Sequence, residues 1–340
     1  MARTLSLVAA LGVVALAGCS AIGNDSPAPS ASAGTVTLVT HDSFGLSDGI
    51  LDAFEEQSGL TVEVVQPGDG GALVNQLVLT KDAPLGDLVF GIDNSFASRA
   101  VDEGVVAPTD LPDAYEGALV PVDYGDVCIN VDHAWFTEKG LAEPVTLEDL
   151  AKPEYKDLLV VPNAVTSSPG LSFLLATVGA FGEDGWVDYW KALKANGLKV
   201  ADGWSDAYST DFSGGGGGGP RPIVLSYASS PPYTVPEGAT EPTTGALLDT
   251  CFRQTEYAGV IAGTSQPEAA QKLVDFLFST TVQNDIPATM YVYPVNAKAT
   301  LPESFVEFAE IADDPFVVSP EDIDKNRETW LSEWAAIAQG

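Results

Sequence analysis

The chain has 340 residues and a formal net charge of −33, with 48 Asp and Glu against 15 Lys and Arg. That excess repels nucleic-acid phosphates and anionic headgroups, so nucleic acid is not an expected partner. The length exceeds one typical hydrophobic core and suits two lobes. The acidity reads as a solvated surface that also concentrates cations nearby, without choosing a ligand.

Met1-Ala2-Arg3 precedes an apolar run from Leu5 to Leu16 and then "LAGC", ending at Cys19. This order reads as an export signal with a lipoprotein cleavage box. Residues 1–18 are expected to be removed and Cys19 to carry lipid. The protein would then sit on the outer face of the cytoplasmic membrane, or in the periplasm of a Gram-negative envelope. Residues 19–34, rich in Ser, Ala and Pro without apolar periodicity, read as a flexible tether.

From Thr35 the pattern alternates. "TVTLVTH" reads as a strand, "SDGILDAFEEQSG" as a helix with a Ser cap, and "LTVEVVQPG" as a strand. "GALVNQLVLTKD" reads as a helix, "DLVFGID" as a buried strand, and Asn94 to about Glu103 as a helix. Alternation of this kind predicts a mostly parallel sheet covered by helices. The long β-type run "ALVPVDYGDVCINVD" (Ala118–Asp132) is placed as a crossing into a second lobe. There a helix from Leu147 to Lys156, the strand "LLVVPN", a helix after "TSSPG", a helix from Gly185 to Asn196 and the strands "LKVADGW" and "PIVLSYAS" follow. "TGALLDTCFRQTEYAGVIAG" reads as the return crossing.

The chain closes with a Pro-started amphipathic helix in "SQPEAAQKLVDFLFSTTVQNDI". A last helix follows, which Ser319 can cap and Pro320 can open, with Trp330 and Trp334 as packing residues. The expected fold is α/β: lobe one from 35–124 with 258–340, and lobe two from 125–257. Which lobe holds part of the C-terminal helices stays open. Two crossing strands join the lobes, and a ligand cleft lies between them at the carboxyl ends of the strands.

Within "GWSDAYSTDFSGGGGGGPRPIVLSYASSPPYTVP", Gly214 to Gly219 are followed by Pro220 and a strand, not by the Gly-Lys-Ser/Thr of a phosphate loop. The run therefore reads as a mobile surface loop. No G-x-S-x-G elbow supports a catalytic serine. Trp204, Tyr208, Tyr227 and Tyr233 supply flat faces near strand ends, and Ser226, Ser229 and Ser230 supply small hydrogen-bonding groups. Such a wall suits a planar cation, although aromatics in these positions also serve as core.

Ser167 and Ser168 stand before a helix, where they cap it or receive an anion or hydroxyl. Asp69 and Gly70 occupy a strand-to-helix turn, as a plain turn and cap or as ligand contacts. Once Cys19 is lipidated, Cys128 and Cys251 remain, and in an exported chain such thiols more often pair than stay free. His41 and His133 are the only histidines, with no zinc spacing, so neither metal nor cofactor is expected.

The ordered series "HDSFG", "PGDGGALVNQL", "GDLVFGIDNSF", "VPVDYGDVCINVD", "TSSPGLSFLL", "GWSDAYS", "VLSYASSPPY", "DIPATMYVYPVN" and "RETWLSEWAAI" resembles the thiamine-binding subunits of bacterial ABC transporters, over about Thr35 to Ile337. The resemblance implies the type II periplasmic-binding-protein fold, hinge closure on thiamine or its phosphates, and delivery to an ABC permease by a monomeric receptor. The family's contacts fall on Asp69, Gly70, Ser167, Ser168, Trp204, Tyr227, Ala228, Ser229 and Ser230, with Tyr233 as a further wall. His41 and Tyr291 stand where a family member has Tyr and Trp. On this reading Trp204, Tyr233 and Tyr291 pack on the ligand's rings, Asp69 meets a donor or the cationic ring, and the serines take the hydroxyethyl or phosphate end. The alternatives are a same-fold receptor for ferric ion, a polyamine or an anion, and a thiaminase-like enzyme using Cys128. A Cys128 to Cys251 disulfide would remove that nucleophile.

Overall fold

The computed structural model describes residues 34–340, so the expected signal segment, the tether up to Ala33 and Cys19 lie outside the described residues. The chain runs β1 (Thr35–Thr40), α1 (Ile50–Ser58), β2 (Thr61–Val65), α2 (Gly70–Leu79), β3 (Leu88–Asp93) and α3 (Ala97–Asp102). It then crosses as β4 (Val120–Asp132) into α4 (His133–Lys139), β5 (Leu159–Pro162), α5 (Ser168–Ala195), β6 (Lys199–Ala201), α6 (Trp204–Asp206) and β7 (Ile223–Tyr227). It returns as β8 (Thr244–Val260) and ends in α7 (Pro267–Leu277), α8 (Thr280–Met290), β9 (Tyr293–Pro294), α9 (Glu303–Phe308) and α10 (Pro320–Ala338).

The strands form one mixed sheet in the order β2-β1-β3-β8-β4-β7-β5-β6, with β9 on β4. Its two wings are parallel, as the sequence predicts: β1 pairs with β2 and β3, and β5 with β6 and β7. The centre is not. β4 and β8 run antiparallel to each other, and each is antiparallel to the wing strand beside it. A chain that leaves one lobe and returns must traverse the middle in both directions, so the two crossings cannot be parallel. This is the two-lobed architecture of type II periplasmic-binding proteins.

Several local expectations are corrected by simple causes. Helix α1 begins at Ile50 after Gly49 in the left-handed region and has no side-chain cap. The expected cap, Ser47, instead binds Asp285 through both its N–H and its hydroxyl, at 2.7 and 2.6 Å. The helix expected from Leu147 to Lys156 is two short 3-10 turns, because Pro153 has no N–H to continue the first. The two helices expected around Gly185 join as α5, broken at Gly182 (φ 69°).

The glycine run is not a free loop. A Cβ on Gly215 would sit 1.9 Å from the Tyr208 carbonyl oxygen, and one on Gly217 would sit 2.0 Å from that of Ser209. These residues are glycine so that the strip can lie against the π-helical turn Ala207–Asp211.

Cys128 on β4 and Cys251 on β8 form a disulfide, fully buried where β8 bulges against β4 between Val127 and Ile129. Nearby, Arg253 grips Asp126 with two bonds of 2.8 and 2.9 Å, and Asp126 also accepts from the Ala312 N–H. The C-terminal helix α10 packs on α5 and also on α3.

Candidate functional site

A cavity of about 190 Å³ opens at the strand ends beside the crossings. Six of the twelve expected contact residues line it: His41, Asp69, Ser168, Trp204, Tyr227 and Tyr291. Its aromatic side is a packed set. Trp204 lies parallel to Tyr208 with centroids 5.1 Å apart, and tilts against Tyr227 at 6.2 Å. Tyr291 meets Trp204 edge-on at 6.1 Å and stacks on Tyr233 at 3.7 Å. Tyr233 lines a neighbouring pocket rather than this one, and the two share Tyr208, Gly215 and Tyr291.

The expected serines divide by role. Ser226, Ser229 and Ser230 are fully buried. The Trp204 indole N–H donates to Ser226 Oγ at 3.0 Å, and Ser226 Oγ meets Ser230 Oγ at 2.8 Å. Ser229 Oγ donates at 2.5 Å to the carbonyl of Tyr291, a residue held at φ 64° where α8 ends. A bulky side chain rarely adopts that conformation, and the serine helps fix it. Ser229 and Ser230 therefore position rings from behind, as does the fully buried Ala228 that joins them to Tyr227.

Asp69 caps α2, and its buried carboxylate ties three segments together. It accepts from Gly70 N at 2.6 Å, from Ser168 N at the start of α5 at 3.2 Å, and from Trp204 N at 3.0 Å. Burial pushes its pKa up, and these N–H donors, with the Ser167 hydroxyl, work against that rise. Ser167 Oγ accepts from Gly170 N at 3.3 Å, and Pro169 has no N–H to offer. The start of α5 thus already holds an internal anion, as its dipole favours. Gly70 faces Ser168 Oγ so closely that a Cβ would lie 2.0 Å from it.

The acidic side was only partly legible in the sequence. Glu256 of β8 lines the cavity with its carboxylate 3.6 Å from His41 Nε2. Ser43, Thr289, Met290 and Val292 also line it, and none of these five was among the expected contacts. Behind Glu256 lie Asp93 and Asp123, both fully buried. Burial raises Asp93 to about 6 and Asp123 to about 7. Glu256 is pushed well above its ordinary value by burial first and by Asp123 next. Gly91 (φ 96°) makes room for His41, whose ring would lie 2.1 Å from a Cβ there.

No Lys or Arg lines this cavity among the described residues. Nor do those residues include a group of three or more His, Cys, Asp or Glu side chains that could hold a metal ion. Carboxylates beside a set of aromatic faces can hold a planar cation, each face contributing roughly 0.5–2 kcal/mol according to its desolvation.

Residues 83–311 match the family model described as bacterial extracellular solute-binding protein. The thiamine-binding periplasmic protein of Escherichia coli (strain K12) is 30% identical over 312 residues, covering 88% of this chain and 92% of that protein. Its counterpart in Brucella suis biovar 1 is 29% identical over 91% of this chain and 94% of that one. Among solved structures, a periplasmic thiamin binding protein superposes with a TM-score of 0.78 at 29% identity, over 89% of this chain and 96% of that one. A ferric binding protein from Campylobacter jejuni, at a TM-score of 0.69 and 16% identity over 89% of this chain and 99% of that one, shares the fold. With a family model matching well over half of its length, the chain belongs to the bacterial extracellular solute-binding proteins.

Proposed function

We propose that this chain is an extracytoplasmic receptor that captures thiamine between its lobes and delivers it to an ABC permease. The observation that carries this reading is the joining, in one cavity, of the carboxylates of Asp69 and Glu256 with the rings of Trp204, Tyr208, Tyr227 and Tyr291. Thiamine joins two planar heteroaromatic rings through a methylene, one of them with a fixed positive charge, and such a lining complements it. The names of the relatives support the same ligand.

On this reading residues 35–124 with 258–340 form lobe one, and residues 125–257 form lobe two. Ligand contacts drawn from both lobes favour the closed form, which the permease recognises. Trp204 and Tyr291 pack on the rings, and Tyr233 supports Tyr291. The receptor acts as a monomer, held at the membrane through lipid on Cys19, and it breaks no bond in its ligand. Support for that last point is that Cys128, the candidate nucleophile, is buried and bonded to Cys251.

Calorimetric titration of the purified chain, stripped of carried-over ligand by unfolding and refolding, tests the reading. One-to-one submicromolar binding of thiamine, recovered intact, is the expected result, and the mono- and diphosphate rank against it in the same experiment. Refolded protein that ignores thiamine overturns the ligand, and recovery of cleaved thiamine makes the protein an enzyme.

A further inference from the structure

Strand register places three carboxylates in a row. On one side of Glu256 its β3 partner is Asp93; on the other its β4 partner is Asp123. Like charges opposed across strands destabilise a sheet, and here all three are buried. The register shifts next to both partners, between Phe90 and Ile92 on β3 and between Pro121 and Asp123 on β4. Bulges of this kind re-aim side chains and gather at functional sites.

No Lys or Arg pairs with the row among the described residues, and the neighbour able to carry positive charge is His41, 3.6 Å from Glu256. One Asp93 oxygen accepts from Ser95 N, Ser95 Oγ and Phe96 N, the Ser168 hydroxyl also faces this carboxyl, and both Asp123 oxygens find no donor. Glu256 accepts only from Gln254 Nε2, at 3.3 Å, and lies close enough to Asp123 for a hydrogen bond that needs a proton on one of the pair. The other titratable groups facing the row are His41, Asp69, Tyr227 and, beside Asp93, Tyr257. Asp126, three residues further along β4, shows the contrast: it is also buried but paired with Arg253.

Of the two carboxylates that line the cavity, Asp69 is anchored by three backbone N–H groups and Glu256 is the less satisfied one. Resting on the thiamine reading above, we infer that Glu256, backed by Asp93 and Asp123, is the specificity-determining residue for a positively charged ring: the row holds a shared proton and releases it to bulk water when the cation enters. The ligand's fixed charge then replaces the proton as the neutralising partner. Burial raises all three carboxyls, so a proton is retained on the row at higher pH than on exposed acids.

The test compares thiamine with its neutral thiophene isostere, in which carbon replaces the quaternary ring nitrogen. Both keep the aminopyrimidine, so any proton exchanged by that ring appears in both titrations. Calorimetry on the full chain at pH 6.5, in two buffers of different ionisation heat, reads the protons released. At pH 6.5 thiamine is expected to release about half a proton to one proton more than the isostere, and its affinity to rise at least on the order of tenfold between pH 5.5 and 7.5.

Glu256→Gln is expected to weaken thiamine at least tenfold, to abolish the extra proton and to leave the isostere within about threefold of its affinity for the wild-type protein. Equal losses for both ligands, or thiamine binding without extra proton release, overturn the inference. If thiamine fails to bind the wild-type protein at any pH, it is the ligand assignment that falls, and the unliganded protein decides the row. Acids whose folded pKa is raised favour the folded state at low pH, so the melting temperature should fall as pH rises from about 4 to 7, and Glu256→Gln should flatten that fall. Coincident curves for variant and wild type overturn the inference in that case.

Discussion

Trp190 and Trp334 meet edge to face at 5.6 Å between α5 and α10, each 1% exposed or less, with Phe173 packed against Trp190 at 5.4 Å. Trp204 lies parallel to Tyr208 at 5.1 Å on the wall of a cavity and stays partly exposed. Both groups are rich in rings, and one helix connects them: α5 begins against Asp69 and Trp204 and continues, past its break at Gly182, to Trp190. The difference lies in what surrounds the rings. In the core pair the Trp190 indole N–H donates to Thr177 Oγ1 at 2.8 Å, the Trp334 indole N–H is buried without an acceptor, and the surrounding side chains are packed apolar ones. Around Trp204 the neighbours are carboxylates and hydroxyls that line an open cavity, not packed apolar side chains.

Removing Trp334 should separate the two groups most clearly. Trp334→Ala removes a large side chain from a site that cannot collapse around the gap, so it should cost about 3–5 kcal/mol of stability. That lowers the melting temperature by roughly 6 °C or more. Thiamine affinity measured well below the transition should stay within about twofold. A tenfold loss of affinity would mean that α5 transmits core packing to the cavity, and the two regions would be one.

Trp204→Ala should do the reverse. It removes one ring face and the indole donor to Ser226, so thiamine binding is expected to weaken at least tenfold, about 1.4 kcal/mol. The melting temperature of the unliganded protein should hardly move. Unchanged affinity in calorimetry would take Trp204 out of the site.

The sequence carries these two regions unequally. The alternation of strands and helices fixes both parallel wings, because apolar periodicity is local, and Pro320 and Ser319 announce α10 for the same reason. The antiparallel centre is not local: it follows from where the chain must go. Aromatic residues at the cavity were readable as a wall because Trp204, Tyr227 and Tyr233 cluster with serines in one stretch. The seats of Ser229 and Ser230 behind that wall were not readable, since which face of a turn carries a hydroxyl depends on tertiary packing. Glu256 was missed although a signal exists. Asp93, Asp123 and Glu256 each interrupt or end an apolar strand expected to be buried, where an ionisable group demands an explanation. Only the register reveals that they adjoin.

The smallest expected effect concerns two serines in the same local role. Ser319 Oγ accepts from Asp322 N at 3.1 Å and donates to Asp322 Oδ2 at 2.6 Å, on an exposed helix start. Ser167 caps α5 at a fully buried start, and its hydroxyl also reaches Asp69. Ser319→Ala should cost about 1 kcal/mol of stability, a shift of roughly 2–4 °C, with no change in thiamine affinity. Ser167→Ala should lose a comparable amount and weaken binding as well, because Asp69 then loses a donor while it still bridges α2, α5 and α6. Thermal melts and titrations on the two variants in parallel check this. Equal affinities would show that the start of α5 is only a helix end, and that the cavity draws its anchoring from the strands alone.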